Sequence, residues 1–378
     1  MSKNKAKSKK LSWSHQFRRL LWLLTVPLSL MLIKLAASHP QRTEEIYSRS
    51  IYPVLRRIFI SVNSCVPFSL AELLIFSAAA LIAISTVVLF IRLLFRRTKP
   101  VVFFKHVVTL AIAAAMLFNS FYLLWGFNFM RPGVAELMGL NVENRPLDQL
   151  EELCYTLLSD AEELRATVFE DENGVYAFNG ERKDYLSKIP KAYERLSAKY
   201  PLFDGDVGMA KELFTSELFS RFGISGIYIP YTFEPNINID QPPLLILSSA
   251  AHETAHQLGF SKENEANFIA YLACSESDDP CVRYSGTILA LIHCANKLNA
   301  NDRQAYYELY SSYSAGIKRD LENYNKYWNA YTSSTSKAVD KINDSYLKFN
   351  SQTSGTKSYG EVVDLLLAYF YGSTSTAD

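Results

Sequence analysis

Three long apolar stretches dominate the first third of the chain. They cover residues 20–37, 70–94 and 107–125, and each is close to the roughly 20 residues that a helix needs to cross a bilayer. We therefore expect three membrane-spanning helices that form a multi-pass α-helical anchor. The first stretch has an alternative, because its basic start and the tripeptide at 35–37 loosely resemble a secretory signal with its cleavage site. Leu35, in place of the usual small residue, favours an uncleaved anchor.

Basic residues are concentrated on one side of these stretches. The tail 1–19 contains five lysines and two arginines, and the loop 95–106 contains two arginines and two lysines. Cytoplasmic segments next to membrane helices carry such an excess of basic residues. We expect the tail and this loop in the cytoplasm, the protein in the cell membrane, and residues 126–378 in an extracytoplasmic domain.

The loop 38–69, between the first two stretches, contains apolar residues at helical spacing. These are Ile51, Val54, Leu55, Ile58 and Phe59. Their spacing predicts a short amphipathic helix. Two placements fit this pattern: a helix lying at the membrane surface, or a connector that packs on the extracytoplasmic domain.

The segment 126–378 has helical periodicity through most of its length, with one extended region at Ile224–Ile239 that is rich in β-branched and aromatic residues. Its expected fold class is mainly α (α+β), with a small sheet. Helices are expected at Leu147–Val168, Asp184–Tyr200 with a break at Pro190, Met209–Phe222, Ile288–Leu298, Gln304–Trp328 and Tyr359–Tyr371. Loops are expected at Ser333–Ser336 and Ser351–Thr356, followed by a disordered tail from Gly372 to Asp378.

The residues that indicate chemistry are His252, Glu253 and His256, which form an H-E-x-x-H pattern. Residues four apart on a helix lie one turn apart on the same face, so the two imidazoles can bind one Zn²⁺ with Glu253 beside it. The preceding residues 244–251 are apolar or small, which places this helix in a core. Gly259 is a suitable helix stop, and Ser261 is a suitable N-cap for a second helix.

A catalytic zinc site needs a third protein ligand and one open position. Of the nearby acids, Glu265 shares a helix face with Phe268, Ile269 and Leu272, whereas Glu263 lies in the first turn of the second helix. We expect Glu265 to be the third ligand and Glu263 to be a surface residue that compensates the helix dipole. In the alternative, Glu265 is a core-edge carboxylate that accepts hydrogen bonds from backbone NH groups or a lysine.

Several runs together resemble a bacterial family of three-pass membrane proteins of unknown function with a zincin-like outer domain. They are the runs at 226–238, 252–259, 263–274, 283–286, 343–350 and 358–360. The Glu-Ala-Asn segment that starts at Glu265 is also similar to the third-ligand helix of gluzincin-type metallopeptidases. The resemblance implies that His252, His256 and Glu265 are ligands and that Glu253 is the general base. It further implies that Gly226–Thr232 is an edge strand that pairs with substrate.

Composition excludes some functions and leaves others open. A net charge of +1 argues against a nucleic-acid partner, and no Gly-rich phosphate loop indicates a nucleotide. The expected partners are the lipid bilayer and a peptide or cell-envelope substrate. Among five cysteines, Cys274 and Cys281 could form a disulfide outside the cytoplasm, although the sequence does not decide their pairing.

These patterns lead to a hypothesis of membrane-anchored, zinc-dependent peptide-bond hydrolysis. Glu253 would activate a zinc-bound water, and Tyr284 is a candidate oxyanion stabiliser, with Arg283 and Tyr271 as further candidates. The alternative is a non-catalytic envelope scaffold with a structural or vestigial metal site. An intact Glu253 favours the enzyme, because a structural site needs no general base.

Overall fold

The computed structural model describes residues 17–95, 100–332, 337–339, 341, 345 and 361–372 of the chain. The described part is mostly helical and contains a three-stranded sheet. Most of the basic tail, residues 96–99 of the basic loop, the loops expected at 333–336 and 351–356, and the tail after Gly372 lie outside the described residues.

Among the described residues, three helices are long and apolar enough to cross a membrane, as the sequence predicts. Helix α1 (Thr25–Ala37) follows a 3-10 turn, α2 comprises residues 40–63, and α3 (Leu70–Leu94) coincides with the second apolar stretch. Helix α4 (Pro100–Leu124) begins seven residues before the expected 107. Its first turns contain Lys105 and His106, which a count of apolar residues leaves out, and proline is well tolerated at a helix start.

Helix α2 connects the first two apolar helices and packs on the domain. It consists of Pro40–Thr43, a wider π-helical segment Glu44–Ile51, and Tyr52–Asn63. Asn63 is buried and donates from Nδ2 to the Thr232 carbonyl oxygen at 2.8 Å. The apolar side chains of Val54 and Ile58 are 57% and 55% exposed. The helix packs on the domain, as in the connector alternative, through a mixed face on which Tyr52 and Phe59 lie beside Arg56 and Asn63.

The first part of the domain contains four helices, of which α6 matches its prediction closely. They are α5 (Val134–Met138), α6 (Leu147–Arg165), α7 (Arg182–Leu186) and α8 (Lys188–Lys199). The break between α7 and α8 falls at Ser187 instead of Pro190. Proline is accommodated in the first turn of α8, where the amide group has no intrahelical partner.

The prediction of a helix at residues 209–222 is wrong for most of this range. Residues Lys211–Glu212 form strand β1, and only α9 (Ser216–Arg221) is helical. Strands β2 (Gly226–Ile229) and β3 (Glu234–Ile237) form a hairpin within the predicted extended region, and β1 pairs in parallel with β3. The long-range pairing with β3 overrides the local helical preference of β1. The strand order is β1-β3-β2, so β2 lies at an edge of the sheet.

The remaining helices surround a buried core. They are α10 (Ile246–Gln257), α11 (Glu263–Ser275), α12 (Pro280–Asn301), α13 (Arg303–Ser312), α14 (Ala315–Tyr331) and α15 (Val362–Tyr371). The single helix predicted at 304–328 is divided in two, because the Ser314 side chain accepts from the Ile317 amide and starts a new helix. Helix α10 packs against α11, α12 and the β-hairpin, which places the H-E-x-x-H residues at the centre of the domain.

Candidate metal centre

Helix α10 carries both histidines on its turn nearest to α11. The helix is buried along most of its length, and Ala250, Ala251 and Ala255 allow its neighbours to approach closely. It ends where Gly259 adopts φ +93°, the left-handed conformation that glycine accepts without strain. The predicted helix, its stop and the shared face of His252 and His256 are therefore present.

Each histidine is oriented by a hydrogen bond on its Nδ1 atom. His252 Nδ1 lies 2.9 Å from Asn267 Oδ1, and His256 Nδ1 donates to the Phe260 carbonyl oxygen at 2.7 Å. The Nε2 atoms of both rings therefore face the Glu263 carboxylate. His252 Nε2 lies 3.2 Å from one carboxylate oxygen, and His256 Nε2 lies 3.6 Å from the other. This is the usual arrangement of metal-binding histidines, whose second nitrogen is held by an outer oxygen.

The three groups lie close enough together to be candidate ligands of one metal ion. One ligand atom from each of His252, His256 and Glu263 lies within 4.8 Å of the others. Ligands at about 2.1 Å from a tetrahedral ion lie about 3.4 Å apart, and the distances of 3.2 and 3.6 Å from Glu263 to the two histidines are close to this value. Two imidazole nitrogens and a carboxylate oxygen are also a known donor set for catalytic zinc.

Glu265 does not join this group, so our expected third ligand needs correction. Its Oε1 accepts from the Val134 amide at 3.0 Å and from Lys262 Nζ at 3.1 Å. The residue is 4% exposed and lies beneath Gly133. The alternative of a capped core-edge carboxylate describes it correctly. Glu263 takes the position beside the histidines, with its side chain only 17% exposed.

Glu253 lies between the metal-site residues and strand β2. It is 6% exposed and accepts a hydrogen bond from the Tyr228 amide. A Cβ atom added at Gly226 would lie 2.9 Å from Glu253 Oε1, which is too close. Glycine at position 226 therefore allows strand β2 to pack against the Glu253 carboxyl group. Burial raises the pKa of Glu253 to about 8, and the positive charge on His252 opposes the increase.

The pKa values of the two imidazoles are shifted in opposite directions. Burial disfavours the charge on His252, but the hydrogen bond and charge of Glu263 outweigh it and raise its pKa to about 9. Burial lowers the pKa of His256 to about 4 despite the charge of Glu263.

The last carbonyl groups of the metal-site helix receive hydrogen bonds from the membrane-proximal part of the chain. Trp125 Nε1 donates to the His256 oxygen at 2.9 Å, and the Tyr52 hydroxyl donates to the Gln257 oxygen at 2.8 Å. Two arginine side chains donate to the next two backbone oxygens. Arg56 donates to the Leu258 oxygen at 3.4 Å, and Arg131 donates to the Gly259 oxygen at 3.1 Å. Helix ends need such donors when they are buried.

Arg131 also joins this helix end to α2. Its guanidinium group makes two hydrogen bonds with the Glu44 carboxylate, at 2.7 and 2.8 Å, and lies 4.2 Å from the centre of the Phe260 ring. Arg131 and Glu44 are 7% and 3% exposed. Because the Phe260 carbonyl group holds His256, this buried ion pair supports the metal centre from the α2 side.

The metal centre opens into a cleft with a volume of about 1390 Å³. His252, Glu253, His256 and Glu263 line one part of it, and the edge strand with its flanks, Phe222–Thr232, lines another. The predicted edge strand Gly226–Thr232 therefore borders the site. The cleft also continues between α3 and α4.

The three candidate oxyanion stabilisers do not line this cleft. Tyr284 is fully buried in the core, where its hydroxyl group donates to Asp320 at 2.6 Å. Arg283 is exposed on α12, and Tyr271 packs near Phe370. The Tyr284 prediction is corrected on this ground: its hydroxyl group already has a buried carboxylate partner on α14.

Cys274 and Cys281, whose pairing the sequence left open, do not form a disulfide. All five are free thiols, Cys65 exposed and four buried. Cys274 packs against Gly286, where an added Cβ would lie 2.3 Å from the Cys274 Cβ. A hydrogen bond with Cys154, together with burial, raises the pKa of the Cys294 thiol.

Sequence reasoning missed Asn267 and the four donors at the end of α10. Asn267 had a signal, because it lies one turn after Glu263 on α11 and so shares its face. The donors Tyr52, Arg56, Trp125 and Arg131 come from distant segments and have no local signal.

The fold and site together define a membrane-anchored helical protein with a candidate His-His-Glu metal centre in a cleft. A family model described as "Protein of unknown function (DUF3810)" matches residues 47–367, and the chain belongs to this family. No curated protein matches the chain. No solved structure matches it either.

Proposed function

We propose that this protein is a membrane-anchored zinc metallopeptidase with a zincin-like domain. The observation that carries the proposal is the convergence of His252, His256 and Glu263 beside a buried general-base candidate, Glu253, in an open cleft. Three protein ligands and a fourth position that faces a cleft are typical of catalytic zinc, whereas structural zinc sites are closed by four protein ligands. Among the described residues, the ligand cluster has three members.

The residues have distinct roles in this proposal. His252, His256 and Glu263 hold the ion, and Asn267 and the Phe260 carbonyl group fix the two imidazole rings. When bound, the ion supplies a Lewis acid for the attacking water and the scissile carbonyl group. Glu253 accepts the proton of the attacking water and returns it to the leaving amine.

The substrate is an extended peptide that lies along strand β2. This strand has β3 on one side only, and it borders the cleft beside Glu253. Peptides add to such free edges through main-chain hydrogen bonds, which hold a peptide carbonyl group in place independently of its side chains. The open position of the metal site would then face that carbonyl group.

The reaction takes place on the extracytoplasmic face of the cell membrane. This orientation is supported by the sequence: the tail 1–19 before the first apolar stretch and the loop 95–106 before the third are rich in basic residues, which are typical of cytoplasmic segments.

The decisive experiment compares the full-length wild type with Glu253→Gln, both purified in detergent. We expect about one zinc per chain in both proteins, and cleavage of a mixed library of free and N-acylated peptides, followed by mass spectrometry, only by the wild type. Glutamine keeps the size of the side chain but cannot accept the proton. A wild type without zinc, or equal cleavage by both proteins, would refute the proposal. Zinc in both proteins without cleavage in either would favour a scaffold.

A further inference from the structure

The cleft at the metal centre extends into the part of the protein that lies in the membrane. Below the metal site, it is lined by one face of α3, which includes Ala71, Ile75, Ala78 and Ile82. On the other side it is lined by Leu117 and Phe121 of α4. We call this part of the cleft the intramembrane groove. Its α3 and α4 lining is uncharged, and Ala78 and Ala79 provide space there.

The intramembrane groove is open because α3 diverges from the other two apolar helices near the domain. Helix α4 is bonded to α1, through Asn119 to Ser29 at 2.8 Å and to Thr25 at 2.7 Å. In the groove half of α3, Ile75 and Ile82 are 53% and 49% exposed.

The two helices that border the groove converge again farther from the domain. There Thr86 Oγ1 lies 3.2 Å from His106 Nε2, and Leu89 and Val108 are buried. The groove is thus closed at its far end.

The domain end of α3 is held firmly, so the divergence is built into the fold. Glu234 accepts from the backbone amides of Leu70 and Ala71 at 3.1 and 2.8 Å. Glu72 in turn accepts from the Phe214 and Thr215 amides. These bonds fix the start of α3 to the β-sheet region and keep it away from α4.

The depth of the intramembrane groove corresponds to one leaflet of a bilayer. From Ala71 to Ile82 a helix rises about 16 Å, at 1.5 Å per residue. One leaflet contributes about 15 Å of a hydrocarbon core that is about 30 Å thick. An acyl chain therefore fits the groove from end to end. A membrane-spanning helix would need an opening about twice as deep.

We propose that the intramembrane groove binds the acyl chain of a lipid-linked polypeptide from the leaflet next to the domain. The chain would enter between α3 and α4, and the peptide attached to it would emerge at the metal centre beside strand β2. This inference rests on the proposed function for the peptide part of the ligand. It assigns the substrate class as acylated peptides or proteins cleaved close to their lipid.

The test uses the full-length Glu253→Gln protein in nanodiscs and a synthetic peptide with an N-terminal palmitoyl chain that carries a photoreactive diazirine. We expect crosslinks, mapped by mass spectrometry, at residues 74–82 and 117–121. Free palmitic acid with the same diazirine is the control for ordinary lipid contact. Labelling elsewhere, or equally strong labelling by free palmitic acid, would overturn the inference. Displacement of the probe by a membrane-spanning peptide rather than by an acylated one would also overturn it.

A matched pair of variants adds a test of the groove itself. Ala78→Phe fills the groove, whereas Ala80→Phe is exposed on α3 outside its lining. The ring of Ala78→Phe would occupy the space of the acyl chain, so this variant should bind the palmitoyl peptide more weakly than the parent protein. Ala80→Phe should bind it like the parent. Equal affinities in the two variants would contradict the inference.

The labelling does not require hydrolysis, so the two proposals can fail separately. A labelled groove in a chain that holds no zinc would refute the proposed function alone. An unlabelled groove in a chain that holds zinc and cleaves peptides would refute the groove inference alone.

Discussion

The indole nitrogen of Trp125 donates a hydrogen bond to the backbone oxygen of His256 at 2.9 Å. Trp125 follows the last residue of the third apolar helix, and His256 is a candidate zinc ligand. The membrane anchor is therefore bonded directly to the metal-site helix. Tyr228, on the edge strand, contacts the same indole ring, with centroids 5.5 Å apart.

The first prediction concerns this hydrogen bond. Trp125→Phe keeps an aromatic ring but removes the donor, while the His256 oxygen retains a bond from the Gly259 amide at 2.9 Å. We expect the free energy of unfolding to fall by about 1 kcal/mol, the net value of one hydrogen bond. Chemical denaturation of the detergent-solubilised chain measures this change. An unchanged midpoint would show that the bond contributes nothing to stability.

The second prediction concerns a truncated chain that starts at Gly126. Truncation removes Tyr52, Arg56 and Trp125, which cap the end of α10, and Glu44, which pairs with Arg131. It leaves Arg131 without its carboxylate partner and the Gln257 and Leu258 oxygens without their side-chain donors, and the loss of a partner by a buried polar group costs about 1–3 kcal/mol. We expect an unstable domain that binds zinc poorly.

Zinc content and thermal unfolding, compared with the full-length protein, check this prediction. A truncated domain that unfolds at the full-length temperature and holds equal zinc would show that the anchor does not support the site. The full-length chain is accordingly the right sample for every metal measurement.

The position of Glu265 shows how far the sequence determines the site. Helical periodicity correctly placed Glu265 on an apolar face, and it is 4% exposed. Helix α11, however, is buried on all sides from Glu265 to Cys274. Periodicity cannot tell which face of such a helix meets α10, so it could not choose between Glu263 and Glu265. That choice depends on packing between segments distant in sequence.

The same distinction explains the other agreements and differences. The three apolar helices and α6 could be predicted because they depend on local composition and on the helical spacing of apolar residues, which can be read from the sequence. Strand β1 depends on pairing with β3, some 25 residues later. The burial of the Tyr52 hydroxyl group and of Arg56 on α2 depends on carbonyl groups at the end of α10, which only the folded chain brings near.

The third prediction uses the two glutamates of α11 as a matched pair. Glu263→Gln removes a charged ligand, and we expect zinc affinity to fall more than about 100-fold, above the range for outer residues. Glu265→Gln removes only the charge paired with Lys262, which is partly exposed, so zinc should remain and stability should fall by about 1 kcal/mol. Competition with a chelator measures both affinities. The reverse pattern would restore Glu265 as the ligand.

The fourth prediction concerns the cysteines and the side of the membrane. Cys65 is exposed in the loop after α2, whereas the other four cysteines are buried. A membrane-impermeant maleimide should therefore modify Cys65 in intact cells if the domain is extracytoplasmic, and a Cys65→Ser variant should remain unmodified. Labelling that requires lysis of the cells would place this loop and the domain in the cytoplasm.

The last prediction concerns Asn267, which holds His252 from outside the ligand set. Its Oδ1 lies 2.9 Å from His252 Nδ1, and this bond fixes the ring so that Nε2 faces Glu263. Loss of such a partner reduces metal affinity by about 10–100-fold in zinc sites. We expect this loss in Asn267→Ala, and recovery in Asn267→Asp, because a carboxylate oxygen can accept the same hydrogen bond. Chelator competition at constant pH measures the three affinities. If alanine and aspartate weaken zinc binding equally, the space at this position matters and not the hydrogen bond, and Asn267 would then have a packing role alone.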